Sequence, residues 1–154
     1  MNYRHDQQTS GIITFVSTVV VVGVLTVYSG QAGALPPAQT AATAAIVFNS
    51  AQAKRGQTKY TEVCSACHLA DLSGSDQAPA LAGASFLGNW DGLTVSDLAD
   101  RIRISMPQDN AGSLSSQQAV DIVAYILQAN EFPGGEEELK IDKAVLKTMT
   151  IKRK

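Results

Sequence analysis

Two cysteines and a histidine fall within five positions, Cys64-Ser65-Ala66-Cys67-His68, and the chain has no other cysteine. Thiols three positions apart can each add to a vinyl group of one haem, and a histidine directly after the second is placed to act as an axial ligand of the iron. Three other chemistries use overlapping residues. A dithiol redox site requires only Cys-x-x-Cys, usually beside a strand-helix-strand pattern, and no convincing strand precedes Cys64. A closed zinc site takes four protein ligands, and the remaining histidine, His5, sits ahead of a long apolar run. A disulfide between Cys64 and Cys67 would leave His68 without a role. One covalent haem c accounts for all three residues.

The iron of an electron carrier takes a sixth ligand, and a thioether sulfur supports a higher potential than a nitrogen donor. Of the three methionines, Met1 is the initiator and Met149 belongs to a charged tail, so Met106 is the candidate. Proline disfavours a helical conformation in the residue before it, so Met106-Pro107 should end a helix and free a loop to present the sulfur. The polar run Gln108-Asp109-Asn110 beside it argues against Met106 as simple core filler.

The elements that must position these residues read as helices. A first helix over 52–64 delivers Cys64, with Gly56 and Tyr60 on one face. Thr94-Val95-Ser96-Asp97 has the shape of a capping box and opens a helix through about Ile104 that buries Val95, Leu98 and Ile102. Ser115-Ser116-Gln117-Gln118 is a second capping box, followed by Val120, Val123, Ile126 and Leu127 at helical spacing until Asn130, and Pro133-Gly134 stops that helix. No segment alternates apolar and polar residues well enough to be a strand, so the expected class is all-α.

The residues from Gly11 to Tyr28 carry no charge, too long an apolar run for a surface helix. With Arg4 before it and Ala32-Gly33-Ala34 after it, residues 1–34 read as a cleavable signal peptide or an uncleaved membrane anchor. Either places residues 35 onward outside the cytoplasm, in the periplasm or on the extracytoplasmic face of the membrane. Residues 35–51, with Pro36-Pro37 and no charge before Lys54, read as a linker, 52–133 as the compact domain, and 134–154 as a charged, solvated C-terminal extension. The chain of 154 residues has a net charge of −2, which excludes a nucleic-acid binder, a multi-domain enzyme and a multi-span membrane protein. Residues 52–133 hold five basic and nine acidic side chains, so the module should be steered weakly toward a basic or mixed docking patch. Arg101 and Arg103 lie two apart and cannot share a helix face. Solvent is the commoner setting for both, although one could neutralise a haem propionate.

These residues resemble monohaem cytochrome c of class I, whose haem motif is near the domain's N-terminus and whose methionine ligand is toward its C-terminus. The resemblance rests on Gly56 and Tyr60, Cys64-Ser65-Ala66-Cys67-His68, Ala78-Pro79-Ala80-Leu81, Ser105-Met106-Pro107 and the segment Asp121 to Leu127. It implies that the first and last helices cross near Gly56 and Tyr125, and that the carbonyl of Pro79 accepts a hydrogen bond from His68. It also implies an electron carrier, not an enzyme. Phe86-Leu87-Gly88-Asn89-Trp90 and Met106-Pro107-Gln108-Asp109-Asn110 are similar to cytochrome domains that serve quinoprotein alcohol dehydrogenases. That narrower likeness implies a quinoprotein dehydrogenase as donor and a terminal oxidase as eventual acceptor. Trp90 would either donate its indole N–H to a propionate or fill the core. The rival function on the same fold is a haem enzyme or ligand sensor with the sixth position open.

Overall fold

The computed structural model describes residues 45–152. The apolar run 11–28 and the cleavage pattern 32–34 lie outside the described residues, among which no helix is long and apolar enough to cross a membrane. The described chain runs as helix α1 (Ser50–Val63), α2 (Ser65–His68), α3 (Gly83–Trp90), α4 (Val95–Ser105), a 3-10 turn (Gln108–Asn110), α5 (Ser116–Ala129) and α6 (Lys143–Thr148). Among these residues β pairing is limited to two isolated bridges, Ser75 with Ala78 and Thr94 with Thr150.

The helix starts are set by side chains that satisfy the orphan amides of the first turn. Asn49 accepts from the amide of Gln52 to open α1. Both expected capping boxes form: Thr94 with Asp97 opens α4, and Ser115 with Gln118 opens α5. The Thr94 hydroxyl and amide hold the Asp97 carboxyl below its ordinary range. The apolar faces read from the sequence turn inward, with Val95, Leu98, Ile102, Val120, Val123, Ile126 and Leu127 all buried. Phe86 of α3 and Tyr60 of α1 complete the same core.

Two parts of the chain behave differently from the sequence reading. The segment read as a linker ends in Phe48, a core residue that is 1% exposed, and α1 begins at Ser50, ahead of the expected start. The tail expected to be solvated folds back onto the helices and buries Leu139, Leu146, Met149 and Ile151. Its charges lie on the outside while its apolar residues sit at helical spacing behind the N-cap Asp142, whose carboxylate accepts from the amides of Ala144 and Val145. The Gln52 side chain pairs with the backbone of Leu139 through both its amide groups, at 3.1 and 2.7 Å. Gly135 donates its N–H to the Phe48 carbonyl at 2.7 Å. The tail is therefore structural, tied to the entry of α1.

α1 crosses α5 at Gly56, and the fork of Arg55 beside that crossing grips two partners. Its Nε and Nη2 donate to the Asp121 carboxylate at 3.1 Å each, and its Nη1 and Nη2 to Glu138 at 2.9 and 2.8 Å. The bonds to Glu138 and then Asp121 hold the guanidinium more firmly charged than usual. Asp121 is buried and also accepts from Gln117 at 2.7 Å. Arg55→Ala is expected to lower stability by about 2 kcal/mol, because it leaves a buried carboxylate without its cation. Urea denaturation at unchanged slope would measure it; a loss under about 0.5 kcal/mol would mean that water replaces the guanidinium without cost.

Candidate haem site

The five-residue motif occupies the turn that ends α1. Cys64 caps α1, with its N–H on the Tyr60 carbonyl at 2.8 Å, and its own carbonyl accepts from the amides of Cys67 and His68 at 3.1 and 3.0 Å. Both thiols and the imidazole are thereby gathered on one short helical turn. Both cysteines are free thiols, Cys64 half-buried and Cys67 exposed. Burial, with a smaller contribution from Cys67, pushes the Cys64 thiol up to about 11. A reactive dithiol centre uses a thiol held well below its ordinary value, the opposite direction from Cys64.

His68 is buried and its Nδ1 lies 2.8 Å from the Pro79 carbonyl. A carbonyl can only accept, so Nδ1 carries the hydrogen and the lone pair of the neutral ring sits on Nε2, the nitrogen left to bind iron. The bond needs Pro79 to be held against the ring, and the loop from Leu69 to Leu81 does this. Gly74 donates to the His68 carbonyl at 3.1 Å, Ser75 Oγ to the Cys67 carbonyl at 2.9 Å, and Leu81 to the Leu72 carbonyl at 2.8 Å. Gly74 has a φ of +75°, and a Cβ there would lie 2.5 Å from the Ala80 nitrogen and 2.6 Å from the Pro79 carbonyl carbon. Only glycine allows the loop to close this tightly.

Tyr60 adds a second clamp. Its hydroxyl donates to the carbonyl of Leu69 at 2.6 Å, where the chain leaves the motif with a positive φ of 63°. Burial pushes the Tyr60 phenol up, so it remains a donor. Its ring centroid is 5.3 Å from that of Tyr125, tilted by 56°. The sequence places Tyr60 on one helix face with Gly56 and gives no sign of the bond to Leu69. Gly74 was not singled out either: the turn Ser73-Gly74-Ser75 signals a tight loop but not what it holds. Tyr60→Phe is expected to cost about 1 kcal/mol, the net value of one such bond, and to speed hydrogen exchange through His68 and Leu69. Unchanged exchange there would show that the motif holds itself.

Met106 is the first residue beyond α4, half-buried and in an extended conformation, with its N–H still bonded to the Ile102 carbonyl at 3.0 Å. Trp90 ends α3, half-buried, with its ring stacked 6.1 Å from Phe86. Arg101 and Arg103 are exposed. Among the described residues, no three His, Cys, Asp or Glu side chains gather to hold a bare metal ion. The donor set that is present, two free thiols and an imidazole with its Nδ1 engaged, fits covalent haem.

Residues 51–126 match the family model described as cytochrome c oxidase, cbb3-type, subunit III. The chain carries a class I cytochrome c domain. The crystal structure of the sulfane dehydrogenase SoxCD from Paracoccus pantotrophus superposes with a TM-score of 0.51 at 22% identity, over 80% of this chain and 68% of that chain. At that identity the likeness concerns the fold. No curated protein matches the sequence. A cytochrome c domain implies electron transfer through haem.

Proposed function

We propose that the chain is a one-electron carrier holding a single haem c, attached through thioethers from Cys64 and Cys67, with His68 and Met106 as axial ligands. The observation that carries this reading is the bond from His68 Nδ1 to the Pro79 carbonyl beside two free thiols on the same turn. When bound, haem supplies an iron that cycles between two oxidation states. The chain's own residues do the rest. Pro79 fixes the tautomer and orientation of His68, which keeps its ligand strength constant through the cycle. Gly74 and Tyr60 lock the loop and the motif's exit, so that the ligand set has little room to rearrange. Trp90 stacks on the core residue Phe86, and its indole N–H would be available to a haem propionate. The role is transfer of electrons without a bound substrate. Donor and acceptor would be an extracytoplasmic dehydrogenase, of the quinoprotein type in the narrower reading, and a respiratory oxidase. Export by residues 1–34 places the domain in the periplasm, free or tethered through 11–28.

Acid extraction with organic solvent of the protein made in cells competent in haem attachment tests the reading. Haem is expected to stay with the chain, and Cys64→Ser/Cys67→Ser should release it. Haem extracted from the unmodified protein, or a colourless product, would return both cysteines to thiol chemistry.

A further inference from the structure

The folded-back tail also reaches the helix that presents Met106. Past α6 it runs beside the α3–α4 turn: the Gly92 N–H donates to the Ile151 carbonyl at 2.8 Å, the Ile151 N–H to the Leu93 carbonyl at 2.8 Å, and the Val95 N–H to the Met149 carbonyl at 2.9 Å. Val95 is the first residue of α4, so its amide is one of the donors a helix leaves without an internal partner. Lys143 pairs with Asp100 halfway along the helix, and Leu146, Met149 and Ile151 are buried in the shared core. A cleft of about 340 Å³ lies between α4, α5 and the tail along the same stretch, lined by Ser96, Ala99, Asp100, Arg103, Lys143 and Leu146. The tail thus grips α4 by its N-terminal half, and Met106 stands at the other end.

We propose that residues 142–151 form a strap that positions Met106 by fixing the N-terminal end of α4, an inference that rests on Met106 being the sixth ligand. α4 has 11 residues, which makes it about 16 Å long. As a stiff rod it turns a tilt of about 2° at the held end into about 0.5 Å at the free one. A sulfur ligand on an extended residue just past the helix follows that displacement. Positioning through the strap is separate from general stability, because the other half of the tail is pinned elsewhere, by Leu139 to Gln52 of α1.

The test uses the full, haem-loaded protein and three variants: Ile151→Pro, which removes the N–H bonded to Leu93; a chain ending at Ile141; and Leu139→Ala, which loosens the tail at α1. The readouts are the sulfur-to-ferric-iron absorption band, the rate at which added imidazole displaces the sixth ligand, and hydrogen exchange at Val95. Ile151→Pro and the shortened chain are expected to exchange faster at Val95, to weaken the band and to raise the imidazole rate at least tenfold. Leu139→Ala should leave the rate within about twofold of the unmodified protein. Should the shortened chain fail to accumulate, Ile151→Pro decides alone. Unchanged imidazole rates in folded Ile151→Pro, or an equal rise in Leu139→Ala, would overturn the inference. An unmodified protein that lacks the band and takes imidazole freely would instead remove Met106 as ligand.

Discussion

Gly56→Ala is expected to destabilise the protein by more than about 3 kcal/mol, although alanine is the better helix former by about 1 kcal/mol. A Cβ on Gly56 would lie 1.8 Å from the Asp121 carbonyl oxygen, 2.5 Å from its carbon and 3.0 Å from the Ile122 nitrogen. All three are backbone atoms inside α5, so no rotamer change relieves the clash, and the two helices must separate by more than about 1 Å. That separation also loosens the contact between the Tyr60 and Tyr125 rings and the fork of Arg55 on Asp121. Because α1 ends in Cys64, the displacement reaches the motif as well. Denaturant unfolding of the haem-loaded protein measures the effect. A loss below about 1 kcal/mol would show that the crossing is more yielding than its backbone contacts allow.

This crossing illustrates how far the sequence could be read. Spacing put Gly56 and Tyr60 on one face of the helix ahead of the motif, and only the family resemblance implied a helix crossing near Gly56 and Tyr125; the glycine meets Asp121, one turn before Tyr125. Capping boxes and apolar spacing were legible in α4 and α5 because both signals are local. The last segment was misread because its lysines and glutamates dominate the composition, while Leu139, Leu146, Met149 and Ile151 are spread thinly among them. Asp142 ahead of Val145, Leu146 and Met149 was a cap and an apolar stripe, a signal that charge counting hid. Phe48 was lost in the same way, a single aromatic in an uncharged run rich in alanine. The short helix α3 went unnoticed since Gly83, Ser85, Gly88 and Asn89 are poor helix formers, and the burial of Phe86 outweighs that preference. At the site, the motif names the chemistry, but the Pro79 bond depends on a loop whose closure is set by Gly74, a long-range fact no local pattern states.

The fold of the tail also changes how Met106 must be tested. Met149 is 7% exposed, inside the domain, so position in the chain no longer singles out Met106. Met106→Ala should convert a low-spin protein into one that binds carbon monoxide and imidazole at the vacated position. It should also lower the reduction potential by on the order of 100 mV, where 59 mV is a tenfold change for a one-electron couple. The helix is not at stake in this substitution: α4 ends at Ser105, and the bond from residue 106 to the Ile102 carbonyl is a backbone bond that alanine retains. A spectral change can therefore be assigned to the sulfur. Met149→Ala provides the contrast. Its carbonyl bond to Val95 survives, a small cavity forms in the core, and stability should fall by about 2 kcal/mol while the unmodified protein's low-spin spectrum persists. The opposite pattern, with Met149→Ala opening the iron, would transfer the ligand role to the tail. Were carbon monoxide to bind the unmodified ferrous protein as fast as Met106→Ala, the sixth position would be open from the start, and the domain would act on small ligands instead of carrying electrons.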